Sequence, residues 1–227
     1  MQIMKTKTLN WIKIAALLCI VACIADFIIL FVLGNYYPGY SQLKNTMSSL
    51  AASVSPVSNV LSLWWIVLGF VFIFFGFHFK KAFDHPNKNV KIASWLIILY
   101  GLGEGVGSGL FKADITDGKM TNSFLIHDFV GGVGIVAALL LPLFIRKIVS
   151  LKNNSFFNSF SWIVFIVGCI TIMLFTIRFS SEENSLIRLY RGLWQRLFLF
   201  NFYVYLIAIS VIIYNNQRRV SFHNAKK

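Results

Sequence analysis

Long apolar stretches alternate with short polar connectors along this chain. Each of six such stretches is close to the roughly 20 residues that a helix needs to cross a hydrocarbon core of about 30 Å. None shows the apolar–polar alternation of a strand, and a helix satisfies its own backbone hydrogen bonds in lipid. We therefore predict an all-α fold, a six-helix transmembrane bundle, with spans at about 11–33, 57–79, 92–111, 123–145, 157–177 and 193–214.

The charges in the connectors predict the orientation of this bundle. The N-terminal segment, the second and fourth connectors and the C-terminal segment contain one acid, Asp84, and these basic residues: Lys5, Lys7, Lys13, Lys80, Lys81, Lys88, Lys91, Arg146, Lys147, Lys152, Arg218, Arg219, Lys226 and Lys227. By the positive-inside rule, both termini are cytoplasmic and the chain is a multi-pass protein of the cell (cytoplasmic) membrane. The net charge of +13 then reflects topology and attraction to anionic lipid.

Composition supports a membrane protein and argues against other classes. The chain is 57% hydrophobic and 13% charged, and it has no polar stretch long enough for a separate soluble core, so we predict one integral membrane domain over residues 1–227. The basic residues flank apolar helices and do not form a soluble basic face. We therefore expect membrane lipid as a partner and no nucleic acid.

Cysteine and histidine positions bear on metal and cofactor chemistry. The three cysteines lie inside predicted spans and suggest neither a disulfide framework nor a metal cluster. In the predicted topology His78, His85 and His223 lie on the cytoplasmic side, whereas His127 lies on the outer side. A catalytic zinc site commonly needs several histidines together. We therefore expect no metal site and no cofactor.

Polar residues converge at the outer level of the predicted bundle. Ionisable residues inside a span are costly and are candidates for function by default. Helical rise places the two intramembrane acids in the outer half, where the fourth and sixth spans also begin with polar residues; together the set is Asp26, Glu104, His127, Asp128, Gln195 and Arg196. This convergence predicts a polar site facing the extracytoplasmic side. The structural alternative is that Arg196 forms a buried ion pair with Asp26 or Glu104 and that His127 is a hydrogen-bonded core residue.

Small residues indicate close packing of the third and fourth spans. On the third span Gly101, Gly105 and Gly109 recur at helical spacing, and a repeated glycine face permits close approach of a second helix. On the fourth span small residues continue the face of His127. We expect these two spans to form a tight hairpin through their glycine faces.

Three stretches give the chain a resemblance to a known family. They are YSQLKNTMSSL at Tyr40 to Leu50, the set Gly107, Gly109, Phe111, Asp114 and His127, and the opening of the sixth span at Gly192, Leu193, Gln195 and Arg196. In these the chain resembles an uncharacterised family of bacterial and archaeal multi-pass membrane proteins catalogued as domain of unknown function 998. Two positions depart from that pattern, Ser49 where an acid often stands and Lys112 where a proline often stands. The resemblance implies a membrane architecture and a set of outer-face residues, without a reaction.

Three functional hypotheses follow. The first is a binding protein for a lipid head group or small amphiphile, in which Arg196 holds an anionic group and Ser48, Asp114 and His127 orient it; the full ligand-binding set is Asn45, Ser48, Asp114, His127, Gln195, Arg196, Asp26 and Glu104. The second is a membrane-embedded hydrolase or transferase with His127 as general base, oriented by Asp114 or Asp128, and with Ser48 as a candidate nucleophile. The third is a proton- or cation-coupled transporter that uses Asp26 and Glu104.

Overall fold

The computed structural model describes residues 2–83, 86–148, 155–177 and 186–225. In these residues six helices are long and apolar enough to span a membrane, so the predicted transmembrane bundle is confirmed; the spans are Trp11–Asn35, Ser58–Lys81, Lys88–Leu110, Asn122–Ile145, Ser155–Thr176 and Arg191–Asn216. Asp84, His85, Lys152, Lys226 and Lys227, which entered the arguments on charge and histidine, lie outside the described residues.

The elements follow one another as nine α-helices, one π-helix and one short hairpin within the described chain. The helices are α1 Gln2–Asn35, α2 Met47–Leu50, α3 Ser58–Lys81, α4 Lys88–Tyr100, the π-helix Gly101–Gly107, α5 Ser108–Leu110, α6 Asn122–Ile145, α7 Ser155–Thr176, α8 Leu186–Leu189 and α9 Arg191–Ala225. The strands are β1 Ile115–Thr116 and β2 Lys119–Met120. The third span begins earlier than predicted because Asn87 caps the polar first turn of α4, its side chain accepting from Val90 N at 3.0 Å.

The spanning helices form a closed ring. Each packs against two neighbours, in the order α1, α3, α4 with the π-helix, α6, α7, α9 and back to α1. Aromatic and aliphatic side chains fill the centre, among them Phe72, Tyr100, Tyr203, Leu206 and Ile209. The ring leaves a cavity at one end, where α1 ends and α6 and α9 begin, and we call this the site end of the bundle.

The glycine faces pack differently from the prediction. A Cβ on Gly105 would collide with the backbone of Gly69, and a Cβ on Gly109 would lie 2.7 Å from Ser62 O, so this face lies on α3 and not on the fourth span. The fourth span, α6, contacts the opposite face instead, where a Cβ on Gly103 would lie 2.9 Å from Gly134 N. The third and fourth spans do pack closely as predicted, but the prediction was wrong about the glycine face, because Gly103 and not Gly105 contacts the fourth span.

A small hairpin leads from the third span to α6. Ile115 pairs with Met120 in antiparallel register, and the turn residues Asp117 and Gly118 both have positive φ, at 51° and 72°. Asp-Gly is a favoured pair for such a two-residue turn. Thr121 then caps α6, its side chain accepting from Phe124 N at 3.2 Å. This geometry places His127 in the second turn of α6, facing into the bundle.

Candidate functional site

Ser48 and His127 meet at the site end. The Nε2 atom of His127 lies 3.2 Å from Ser48 Oγ, and its Nδ1 atom lies 2.7 Å from the carbonyl oxygen of Phe111. A carbonyl oxygen can only accept, so Nδ1 carries the proton and donates it. In the neutral imidazole Nε2 is then the acceptor, and Ser48 donates to it. A hydroxyl that donates to an oriented imidazole is the arrangement of a nucleophile and its general base.

A backbone carbonyl, that of Phe111, orients the His127 ring. The prediction gave that role to Asp114 or Asp128, but Phe111 O accepts the hydrogen bond from Nδ1. Asp114 binds elsewhere: its Oδ1 accepts from Ser53 N and its Oδ2 from Ser53 Oγ, both at 2.6 Å. Asp114 therefore holds the loop after α2, and the backbone carbonyl of Phe111 stands where an acid was expected.

The start of α9 holds the segment in front of Ser48. Gln195 Oε1 accepts from Met47 N at 2.7 Å, which caps the first residue of α2. Two backbone bonds dock the loop before it on the same helix end, from Leu193 N to Leu43 O at 2.8 Å and from Gly192 N to Lys44 O at 3.3 Å. Ser48 is thus fixed from the side of α9.

Arg196 completes this attachment and contacts neither intramembrane acid. Its Nη1 donates to Asn45 O at 2.9 Å and to Gly192 O at 3.0 Å, and its Nη2 donates to the hydroxyl of Tyr40, whose ring also lies near the guanidinium. These acceptors are neutral, so the proposed ion pair of Arg196 with Asp26 or Glu104 was wrong. Asn45 takes part through its backbone carbonyl, while its side chain accepts from Ser41 N at 2.8 Å.

Burial and the Arg196 contact act in opposite directions on the pKa of Tyr40. Burial raises the pKa of the Tyr40 phenol above its usual value, and the Arg196 guanidinium opposes that shift without cancelling it. The neutral phenol is therefore favoured in the folded protein. Its contribution to stability is present below the ordinary pKa of a tyrosine and is lost as the pH rises through the raised pKa.

Asp26 is buried in a hydrogen-bonded network of aromatic residues. It is 2% exposed and accepts from Trp64 Nε1 at 2.8 Å and from Tyr203 OH at 2.9 Å. The Tyr203 hydroxyl in turn lies 3.5 Å from Tyr100 OH. The side chains of α1, α3, α4 and α9 thus meet around one carboxyl group. A role as a polar link between helices accounts for the buried carboxyl group of Asp26 at least as well as a role in transport does.

Glu104 lies on the π-helix, opposite glycines of α6. A Cβ on Gly131 would lie 3.2 Å from Glu104 Oε1, and a Cβ on Gly134 would lie 2.8 Å from Glu104 Cγ. The glycines therefore leave the space that the Glu104 side chain occupies. π-Helical turns are rare and are frequent at functional sites. No described residue donates a hydrogen bond to this carboxyl group.

One cavity joins these groups. It has a volume of about 540 Å³ and is lined at the site end by Ser48, His127, Asp128 and Gln195 and deeper by Asp26 and Glu104. From His127 to Leu139, twelve residues further along α6, it extends for about 18 Å at helical rise. The deeper walls are largely apolar, with Leu30, Leu68, Phe72, Ile135, Leu139, Ile172 and Leu199. Among the described residues, those that line it include no lysine or arginine.

A known family model matches most of the chain. The model of a family described as Protein of unknown function (DUF998) matches residues 20–212, which is most of the sequence. The chain belongs to this family. No curated protein and no solved structure matches it. The resemblance predicted from the sequence is therefore confirmed, and the family carries no assigned reaction.

The stretches by which the sequence resembles DUF998 converge at the site end. Tyr40 and Asn45 bind Arg196, Met47 binds Gln195, and Ser48 binds His127. Phe111, from the third-span motif, orients His127. Residues from all three of these stretches thus form one structural unit that fixes Ser48 beside His127.

For several residues of this unit the sequence did not reveal the contact that they make. The contributions of Phe111, Asn45 and Gly192 are backbone carbonyl groups, which every residue has. Ser53, the partner of Asp114, lies in a loop rich in Ser and Ala. Trp64 and Tyr203 both donate to Asp26, and spacing along the sequence does not indicate these contacts, although buried Trp and Tyr usually find a hydrogen-bond partner. No group of His, Cys, Asp and Glu able to hold a metal ion occurs within the described residues.

Proposed function

We propose that this membrane protein is a serine acyl hydrolase or acyltransferase that acts on an acyl amphiphile inside the bundle. The observation that carries the proposal is the hydrogen bond from Ser48 Oγ to His127 Nε2 at 3.2 Å, with Nδ1 fixed on Phe111 O at 2.7 Å. Both side chains line the same cavity. The pair therefore has a nucleophile, a base and room for a substrate.

The first half-reaction forms an acyl-enzyme. Ser48 Oγ attacks the carbonyl carbon of the ester while its proton passes to His127 Nε2, and the carbonyl electron pair moves to the oxygen. The resulting imidazolium is stabilised by the bond from Nδ1–H to Phe111 O. When the tetrahedral intermediate collapses, the alcohol leaves with the proton from Nε2. Ser48 then carries the acyl group.

The second half-reaction restores the serine. Water in a hydrolase, or a second alcohol in a transferase, gives its proton to His127 Nε2 and attacks the acyl carbonyl carbon. Collapse breaks the bond to Ser48 Oγ, which regains the proton from the imidazolium. Proton transfer by one histidine in both directions typically contributes about 10²- to 10⁴-fold to such rates.

The shape of the cavity supports an acyl amphiphile as substrate. The reactive pair lies at the site end, while Ile135, Leu139 and Leu199 line the deeper part. An acyl chain placed there would have apolar neighbours and its carbonyl group would reach Ser48. An anionic head group on Arg196 fits less well, because that side chain binds Tyr40 and two backbone carbonyls and is not among the lining residues.

Ester hydrolysis by the purified protein tests this function. We expect the wild type to hydrolyse p-nitrophenyl octanoate in detergent and Ser48→Ala to lose that activity. Ser49→Ala is the matched control, because the Ser49 hydroxyl donates to Thr46 O at 2.7 Å and not to His127. Equal rates for wild type and Ser48→Ala would contradict the proposal. Retention of a co-purifying lipid without turnover would favour the binding hypothesis instead.

We also propose that both termini are cytoplasmic and that the site end faces outward across the cytoplasmic membrane. The positive-inside rule supports this orientation. Lys119 on the hairpin and Lys88 at the start of α4 are both exposed and lie at opposite ends of the third span and its connector. In intact cells an impermeant thiol reagent should label Lys119→Cys and spare Lys88→Cys, measured against the background of the native cysteines. The reverse pattern would place the site end in the cytoplasm.

A further inference from the structure

The side-chain oxygen of Gln195 has a hydrogen-bond partner, whereas its side-chain nitrogen has none among the described residues. Gln195 is 9% exposed, and the atom facing Met47 N at 2.7 Å must be the oxygen, because a backbone N–H can only donate. The nitrogen Nε2 is attached to the same carbon and therefore also lies beside the start of α2. No described residue accepts a hydrogen bond from it, while Gln195 lines the cavity.

We infer that Gln195 Nε2 donates a hydrogen bond to the oxyanion formed when Ser48 attacks a carbonyl group. This role rests on the proposed function, because it concerns the same nucleophile. Met47, which holds the other end of the amide, is the residue directly before Ser48. The donor and the nucleophile are thus tied to each other by one hydrogen bond and one peptide linkage.

The chemistry of the step favours such a donor. Negative charge collects on the former carbonyl oxygen while the Ser48 proton moves to His127, and a wall of the cavity that is low in polarity stabilises that charge poorly. A fixed amide N–H costs no reorganisation at that moment. Because Met47 N holds Oε1, the Gln195 amide cannot rotate away without losing that hydrogen bond.

If Gln195 has only a structural role, that role is to cap α2 through its side-chain oxygen. The two roles use different ends of the amide, so one substitution separates them. Gln195→Glu keeps an oxygen for Met47 N and replaces the donor Nε2 with a second oxygen, at almost unchanged size. Gln195→Met has a similar length and removes both ends.

Steady-state kinetics with p-nitrophenyl octanoate distinguish these roles. We expect Gln195→Glu to melt close to wild type and to lose about 10²- to 10³-fold in kcat with KM little changed, as for loss of one oxyanion donor. Gln195→Met should show a similar loss of kcat and also a lower melting temperature. If Gln195→Glu does not fold, the kcat of Gln195→Met tests the inference. Ser49→Ala should keep both parameters.

Two outcomes would overturn the inference, and they can be told apart. If the wild type is active and the folded Gln195 variants keep its kcat, the amide is only a cap for α2, and the proposed function stands. If the wild type has no activity that depends on Ser48, the proposed function and this role fail together.

Discussion

His127→Gln is expected to lower the hydrolysis of p-nitrophenyl octanoate by about 10²- to 10⁴-fold, the usual contribution of a general base. Glutamine is close in size, and its amide can still donate to Phe111 O, where the imidazole donates at 2.7 Å. It cannot take up the Ser48 proton at neutral pH. The variant should therefore insert and melt like the wild type while its kcat falls.

The chain provides a matched control for this substitution. His78 also directs its Nδ1 to a backbone carbonyl, that of Phe74 at 2.9 Å, but it lies in the last turn of α3, away from the site end. His78→Gln should leave kcat unchanged. If His127→Gln keeps wild-type kcat, His127 is a core residue that links Phe111 to Ser48 and has no part in proton transfer.

Gly105→Leu is expected to have the largest effect on stability. A Cβ at this position would collide with the backbone of Gly69 and lie 3.1 Å from Trp65 O, so even the first added carbon needs the π-helix and α3 to move apart. Overpacking of a closely packed interior typically costs about 1–3 kcal/mol, and backbone contacts cannot give way as a side chain would. Thermal melting in detergent measures the loss.

Gly132 is the control for Gly105. A Cβ at Gly132, in α6, would meet no atom within 4 Å, so Gly132→Ala should melt at or above the wild-type temperature, since alanine favours a helix over glycine. Similar melting of Gly105→Leu and the wild type would mean that the π-helix does not pack on α3.

The sequence predicted the spans well because their signal is local. Length and apolar composition decide whether a helix can cross a bilayer, and both are visible without any knowledge of neighbours. The partners of the glycine faces were not visible in this way. Gly103 and Gly105 point to different helices, and the π-helix that presents them has no sequence signature beyond the glycines themselves.

The site was predicted in part, for a related reason. Polar residues at the start of apolar spans identified His127, Gln195 and Arg196, and the resemblance to DUF998 identified Ser48. Opposite charges suggested an ion pair for Arg196, whereas in the folded chain its two Nη atoms donate to backbone carbonyls and a phenol. Such partners depend on where the backbone passes, so spacing along the sequence cannot reveal them.

The contact between Ser48 and His127 is itself of this kind. The two residues are 79 positions apart in the sequence, and each is placed by others: Ser48 by Gln195 and His127 by Phe111. The sequence could list both as candidates, but it assigned the orienting role to an acid. Only the fold shows that a carbonyl oxygen occupies that position.

Covalent labelling is the most direct test of the central claim, that His127 activates Ser48 as a nucleophile. The purified protein is treated with an alkyl fluorophosphonate, and the modified residue is mapped by peptide mass spectrometry. The account predicts a single adduct on Ser48 that forms in the wild type and in His78→Gln and is greatly slowed in His127→Gln. An adduct on another serine, or no adduct on Ser48 in folded protein, would contradict it.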